Sequence, residues 1–320
     1  MVKTAWLFPG QGSQAVGMGR DVHEASPAAR AIFAQADEAL GERLSSLCFE
    51  GPMAELTLTK NTQPAILATS AAILAALRER HPQLPPPTCA AGHSLGEYAA
   101  LHAAGSLELS DAIRVCRARG LAMQDAVPEG EGAMAAVMAL EGSVVAELCA
   151  EVAASPRGEV VSCANFNAPV QTVIAGHAAA VSQVGSAVRQ RGGKAIPLNV
   201  SAPFHCALMT PARGPLGEAL GAATVSAPQF PVLANVDAEP KPDRSAIVDA
   251  LLRQIDSPVQ WVATIRKMAE MGVTHALEIG PGRVLAGLMR RLDKSLKVLS
   301  VDSEISIEKV PDFLELEGED

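Results

Sequence analysis

The chain has 320 residues, of which 48% are hydrophobic, 19% charged and only 3% aromatic, and its formal net charge is −9. That suffices to bury a sizeable core, in one large domain or in one domain with a smaller one inserted. The acidic balance argues against a nucleic-acid partner, whose footprint is normally basic, and no apolar run reaches the roughly 18 residues needed to span a bilayer.

The opening MVKTAWLFPGQGSQ meets Pro9-Gly10 too soon for a secretory signal, so a cytoplasmic protein is expected. Lys3 to Phe8 reads as a strand running into a glycine-rich loop. Residues 26–40 and 64–79 read as helices, each with a proline near its start. His81 to Pro87 is a proline-rich connector, and Thr88 to Ala91 is a short strand ending at Gly92-His-Ser-Leu-Gly96.

A β-α-β-β-α-β pattern follows. Ala133–Ala139, Val160–Phe166, Gln171–Ala175 and Lys194–Val200 read as strands, and Ser143–Ala154 and Ala178–Arg191 as helices. This is the ferredoxin-like order, and about 70 residues suffice for a small domain of that kind. Pro231–Val236 and Thr274–Ile279 read as strands, and Ile247–Ile255, residues 258–271 and the stretch after Gly282 as helices. Strands alternating with helices imply a parallel sheet covered on both faces. The fold class expected is therefore α/β. The acidic segment Glu304 to Asp320 is weakly patterned and is expected to be loosely attached. Six cysteines lie scattered without a C-x-x-C pair or a histidine cluster, so buried reduced thiols are expected rather than a zinc site.

A Gly-x-Ser-x-Gly sequence between a strand and a helix forms a nucleophile elbow. Ser94 then stands at a helix N-terminus, with the N–H of Leu95 placed to donate to a developing oxyanion. The plainer alternative is a helix-capping serine after a glycine turn. Ser94 needs a base, and His205 is the best of the seven histidines because it follows a strand end, where a loop presents side chains to a site. His93 adjoins the serine, but its side chain is expected to point elsewhere. Cys206 as nucleophile lacks a context that would lower its pKa. The residue that orients the histidine stays open: Asp237, Asp256 or a backbone carbonyl would each serve.

Several further motifs stand in order. They are Phe8-Pro-Gly-Gln-Gly-Ser-Gln14, Arg119-Gly with Met123-Gln124, Ala133-Met-Ala-Ala, Val200-Ser-Ala-Pro-Phe-His205, Asn235-Val-Asp237, Pro258-Val-Gln-Trp261 and Glu278-Ile-Gly-Pro-Gly282. Together with Gly92–Tyr98 they closely resemble the malonyl-CoA:acyl carrier protein transacylases of fatty acid synthesis and the related acyltransferase domains of polyketide synthases. The resemblance runs from about residue 4 to about residue 302.

The resemblance implies an α/β-hydrolase-like catalytic subdomain, residues 1–128 and 203–320, with a parallel sheet, carrying an inserted ferredoxin-like (βαββαβ) small subdomain, residues 129–202. It implies Ser94 as nucleophile, His205 as base, and the N–H groups of Gln11 and Leu95 as the oxyanion hole. It implies that the carbonyl of Gln260 orients His205, with Asn235 in support. Arg119 would bind the free carboxylate that separates malonyl from acetyl. From the sequence alone, Arg119 is one of three helix arginines with Arg114 and Arg117, and a solvated face accounts for all three. Phe204 hints at a malonyl-selective pocket. The substrates implied are malonyl-CoA and the phosphopantetheine thiol of an acyl carrier protein, with no metal or cofactor, no nucleic-acid or membrane partner, and a monomeric enzyme. Met289–Lys294 is a candidate basic patch for an acidic carrier. A thioester hydrolase that edits stalled chains, and a carrier-binding module without chemistry, are the competing readings.

Overall fold

The computed structural model describes residues 2–155, 159–200, 202–293 and 295–316. Among these the strands are β1 Thr4–Phe8, β2 Cys89–Gly92, β3 Gly132–Met138, β4 Val161–Ala168, β5 Gln171–His177, β6 Lys194–Pro197, β7 Val232–Leu233, β8 His275–Ile279 and β9 Lys297–Val301. Five form a parallel sheet in the order β7-β2-β1-β8-β9. The other four form an antiparallel sheet in the order β4-β5-β3-β6. The order expected from β-α-β-β-α-β is thus present, with helices Gly142–Ala153 and Ala178–Gln190 between its strands.

Every residue of β1 is buried, the signature of a parallel strand covered on both faces. Alternate side chains enter different cores. Trp6 and Phe8 join a cluster with Ile66, Ile73 and Leu77 of helix Thr59–Arg80. Ala5 and Leu7 join one with Trp261, Ile265 and Leu285. Val137, Val145, Leu148, Ile174, Val184 and Val188 form the separate core of the antiparallel sheet. Its edge strand β4 is stitched to the chain ahead of helix Trp261–Glu270: Phe166 N–H donates to Val259 O at 2.9 Å and Val259 N–H to Ala164 O at 2.9 Å. That pairing holds Val259 extended, so the helix expected over 258–271 begins only at Trp261.

Other departures have local causes. The helix expected from residue 64 begins at Thr59, with Pro64 inside it. Its first turn carries Asn61, Thr62 and Gln63, all buried, and Thr62 Oγ1 bonds back to Leu56 O. The strand expected at Pro231–Val236 shrinks to the two residues of β7. The acidic C-terminal segment is not loosely attached as far as residue 316. Helices Glu304–Ile307 and Val310–Leu314 bury Ile307, Val310 and Leu314, and His81 Nε2 meets Ile307 O at 3.1 Å. The acidic residues between these three apolar positions hid their helical spacing. Residues 317–320 of that segment, and Lys294 of the basic patch, lie outside the described residues.

Candidate active site

Strand β2 ends at Gly92 and helix Gly96–Ala103 begins four residues later. Ser94 sits between them with φ 52°, a left-handed backbone that a side chain rarely adopts. The glycines allow the turn to close. A Cβ on Gly92 would stand 1.8 Å from the carbonyl carbon of Gly96, and one on Gly96 2.2 Å from Phe8 O. Asn235, fully buried, pins the strained residue: its Oδ1 accepts from Ser94 N–H at 2.7 Å and its Nδ2 donates to Gly92 O at 2.7 Å.

Ser94 Oγ is 2.8 Å from His205 Nε2, and His205 Nδ1 is 2.8 Å from the carbonyl of Gln254. An Nδ1–H donated to that carbonyl leaves Nε2 as the acceptor for the serine proton. Gln254 ends helix Arg244–Gln254, where carbonyls lack intrahelical partners and are free to accept. This corrects the expectation for Gln260. The carbonyl of Gln260 instead accepts from Thr264 N–H and Thr264 Oγ1 as helix Trp261–Glu270 begins, and its N–H donates to Asn235 O. The two candidate acids are engaged elsewhere, Asp237 with Lys241 and Asp256 with Arg213. Burial, then the charge of Arg119, lowers the His205 pKa to about 3, so the imidazole stays neutral. Burial pushes the Cys206 thiol up to about 11 while its Sγ–H donates to Pro203 O, which removes it as a nucleophile.

Arg119 is not on a solvated face. It is 1% exposed, and its guanidinium donates to Gln63 Oε1 at 2.8 Å, Gln254 Oε1 at 2.9 Å and Ser94 Oγ at 3.1 Å. These partners are all uncharged, and no ion pair forms to it among the described residues. Arg114 and Arg117 pair with Asp111 and Glu42 at the surface. A buried cation supplied only with dipoles is an anion site in waiting.

Gln11, Ser94, Arg119, Phe204 and His205 line one cavity of about 130 Å³, with Gln63, Met123, Met134, Asn165, Leu198 and Val200. That is below the roughly 300–1,000 Å³ of pockets for drug-sized ligands, and suits a short acyl group. Among the described residues the N–H groups of Gln11 and Leu95 have no partner. His93 lines the same cavity rather than pointing away from it, and its Nε2 meets Asn167 Oδ1 of β4 at 2.8 Å. Gln63, Gln254 and Glu97 escape sequence reasoning. Gln63 lies in a polar run that reads as surface, Gln254 ends a helix with no local motif, and Glu97 looks like an ordinary first-turn acid.

An elbow serine, a neutral imidazole and paired N–H donors define a serine acyl enzyme, and comparison with known proteins places it. Residues 5–309 match the family described as acyl transferase domain. The malonyl CoA-acyl carrier protein transacylase of Bacillus subtilis is 45% identical over 309 residues, 96% of each chain. That of Escherichia coli strain K12 is 46% identical over 297 residues, 92% of this chain and 94% of the other. The acyl carrier protein S-malonyltransferase of Vibrio cholerae superposes with a TM-score of 0.92 at 45% identity, covering 96% of this chain and 99% of that one. A malonyl-transacylase solved in complex with its type II polyketide-synthase acyl-carrier protein superposes with a TM-score of 0.93 at 44% identity, covering 97% of this chain and 99% of that one. The chain belongs to the acyl transferase family and, within it, to the malonyl-CoA:acyl carrier protein transacylases.

Proposed function

We propose that this chain moves the malonyl group of malonyl-CoA to the phosphopantetheine thiol of an acyl carrier protein, through a malonyl ester on Ser94. The observation that carries the malonyl choice is Arg119, a buried cation with neutral partners 3.1 Å from the nucleophilic oxygen. In a malonyl ester the free carboxylate carbon stands three bonds beyond Oγ, within reach of that guanidinium. An acetyl ester leaves the cation without its anion, which is the discrimination a site built around a polar group makes well.

Ser94 gives its proton to Nε2 of His205 as Oγ attacks the thioester carbonyl, and the N–H groups of Gln11 and Leu95 hold the oxyanion. The C–S bond breaks and CoA leaves as a thiol with the proton from His205. The carrier thiol then gives its proton to His205 and attacks the ester, and Ser94 recovers its hydrogen. This two-stage exchange is ping-pong, and beyond the carrier's own phosphopantetheine no step in it calls for a metal or cofactor. Phe204 walls the cavity beside the acyl group, and Asn235 holds the elbow. We read residues 129–202 as the inserted small subdomain and 1–128 with 203–320 as the catalytic one, supported by the separate sheet and apolar core of the insertion. One chain supplies every side chain in the scheme, which suits a monomer in the cytoplasm. No helix among the described residues is long and apolar enough to cross a membrane.

The test is to incubate the enzyme with malonyl-CoA, with and without holo carrier protein, and follow both proteins by intact mass. A malonyl adduct on Ser94 that moves to the carrier is expected. Rapid malonate release with an unloaded carrier would mark a hydrolase instead.

A further inference from the structure

Glu97 lies directly beneath the elbow and takes no part in the scheme above. It is 3% exposed, on the first turn of helix Gly96–Ala103. Its Oε2 accepts from Asn235 N–H at 3.0 Å and from Gln254 Nε2 at 2.8 Å. The same Gln254 Nε2 donates to Ser94 O at 2.9 Å, while Gln254 Oε1 accepts from Arg119 at 2.9 Å.

A glutamine amide has two faces, and rotation by half a turn exchanges its oxygen for its NH2. Only one orientation serves Arg119, which is a pure donor. The reverse would set NH2 against guanidinium inside the protein, two donors facing with no acceptor between them. Arg119 draws the amide oxygen to its own side through the hydrogen bond it donates at 2.9 Å. What draws NH2 to the other side is Ser94 O and Glu97 Oε2, at 2.9 and 2.8 Å, with Asn235 Oδ1 farther off at 3.4 Å. Burial pushes the Glu97 carboxyl up to about 7, yet a carboxyl oxygen accepts from Gln254 whether or not the group carries its proton.

Building on the malonyl reading above, we propose that Glu97 is a positioning residue for substrate selectivity: by accepting from Gln254 Nε2 it fixes the Gln254 amide with its oxygen toward Arg119, and so aims the guanidinium at the malonyl carboxylate. The chain of contact is Glu97, Gln254, Arg119, substrate. His205 is served by the main chain of Gln254 and not by its amide, so base orientation and carboxylate selection are separable within one residue.

The experiment compares Ser94 acylation by malonyl-CoA and acetyl-CoA, read as the ratio of kcat/KM values, in wild type, Glu97→Leu, Glu97→Gln and Gln254→Leu. A ratio is insensitive to the fraction of enzyme that is folded. Glu97→Leu is expected to lower the malonyl-to-acetyl ratio at least tenfold, mainly through KM for malonyl-CoA. Gln254→Leu is expected to do the same, and the double variant to add little, because Glu97 acts through Gln254. Glu97→Gln, whose amide oxygen can still accept from Gln254 and Asn235, is expected to hold the ratio within threefold of wild type. A ratio that survives Glu97→Leu, or collapses equally in Glu97→Gln, overturns the proposal. If Glu97→Leu does not fold, an unchanged ratio in Gln254→Leu overturns it as well. A wild type without malonyl preference would overturn the malonyl reading itself, and this proposal with it.

Discussion

The carbonyl oxygen of Gln254 lies 2.8 Å from Nδ1 of His205, in the place where serine hydrolases commonly set a carboxylate. A neutral acceptor fixes the tautomer and the ring direction without adding charge. It follows that no acid is needed for orientation. Asp237→Asn and Asp256→Asn should each keep kcat/KM for malonyl transfer within about threefold of wild type, since the carboxylates pair with Lys241 and Arg213 and not with His205. A fall of a hundredfold in either would mean that the acid reaches His205 during turnover.

The same neutrality sets the pH profile. The protonated imidazole cannot take the serine proton, and burial together with the Arg119 charge lowers its pKa to about 3. Loss of activity through His205 therefore moves to lower pH than the roughly 6.5 of an ordinary histidine. Ser94 acylation measured in single turnovers should stay flat as pH falls through 6.5. A sigmoid loss centred there would show a histidine solvated in the working enzyme.

Arg119 supplies a fork that bonds to Gln63, Gln254 and Ser94 together, and a lysine is a point charge that cannot span them. Hydrogen bonds to charged groups are worth about 1.5–3 kcal/mol each, so losing a bidentate pair lowers the rate by about 10² or more. Arg119→Ala should therefore lower malonyl acylation of Ser94 at least a hundredfold while acetyl acylation is spared or raised. Arg119→Lys should fall between. Equal losses on both thioesters, measured side by side, would make Arg119 a structural residue.

The parts of the site legible in the sequence are those written in contiguous residues. The elbow shows itself because strand, glycines, serine and helix follow one another, and the antiparallel sheet because its β-α-β-β-α-β elements lie in one unbroken stretch of chain. Arg119 and Gln254 are illegible locally for a different reason. Each is one polar residue on a helix, and its burial depends on helix packing between segments more than fifty residues apart, as in the contact of Arg119 with Gln63. The misplacement of the histidine anchor, from Gln254 to Gln260, has the same origin. Gln254 ends one helix and Gln260 caps the start of the next, and only the packing tells which carbonyl faces His205.

Asn235 is the single side chain that joins Ser94 N–H to Gly92 O. Replacing it with alanine orphans a buried donor and a buried acceptor, at about 1–3 kcal/mol each. It also releases Ser94 from its left-handed backbone. Asn235→Ala should lose about 2–6 kcal/mol in urea denaturation and acylate slowly with malonyl and acetyl thioesters alike. A stability loss without a change in acylation would separate the elbow's geometry from its support.

Glu97 also leaves a mark on stability. Its carboxyl is raised from 4.5 to about 7 in the folded protein, by burial against the opposing hydrogen bonds from Asn235 and Gln254. Below about 4.5 the folded and unfolded chains both hold the proton. Between 4.5 and 7 the unfolded chain releases it while the folded chain keeps it, so stability falls as pH rises through that window and levels off above it. A shift of that size corresponds to a loss of about 3 kcal/mol. Glu97→Gln has no proton to release and lacks this loss. His205 works in the opposite sense at lower pH, but it is present in both proteins and cancels in their difference. Urea denaturation from pH 4.5 to 8 should therefore show Glu97→Gln gaining on wild type as pH rises, with the gain complete just above 7. Parallel curves would mean that Glu97 titrates alike in the folded and unfolded chains.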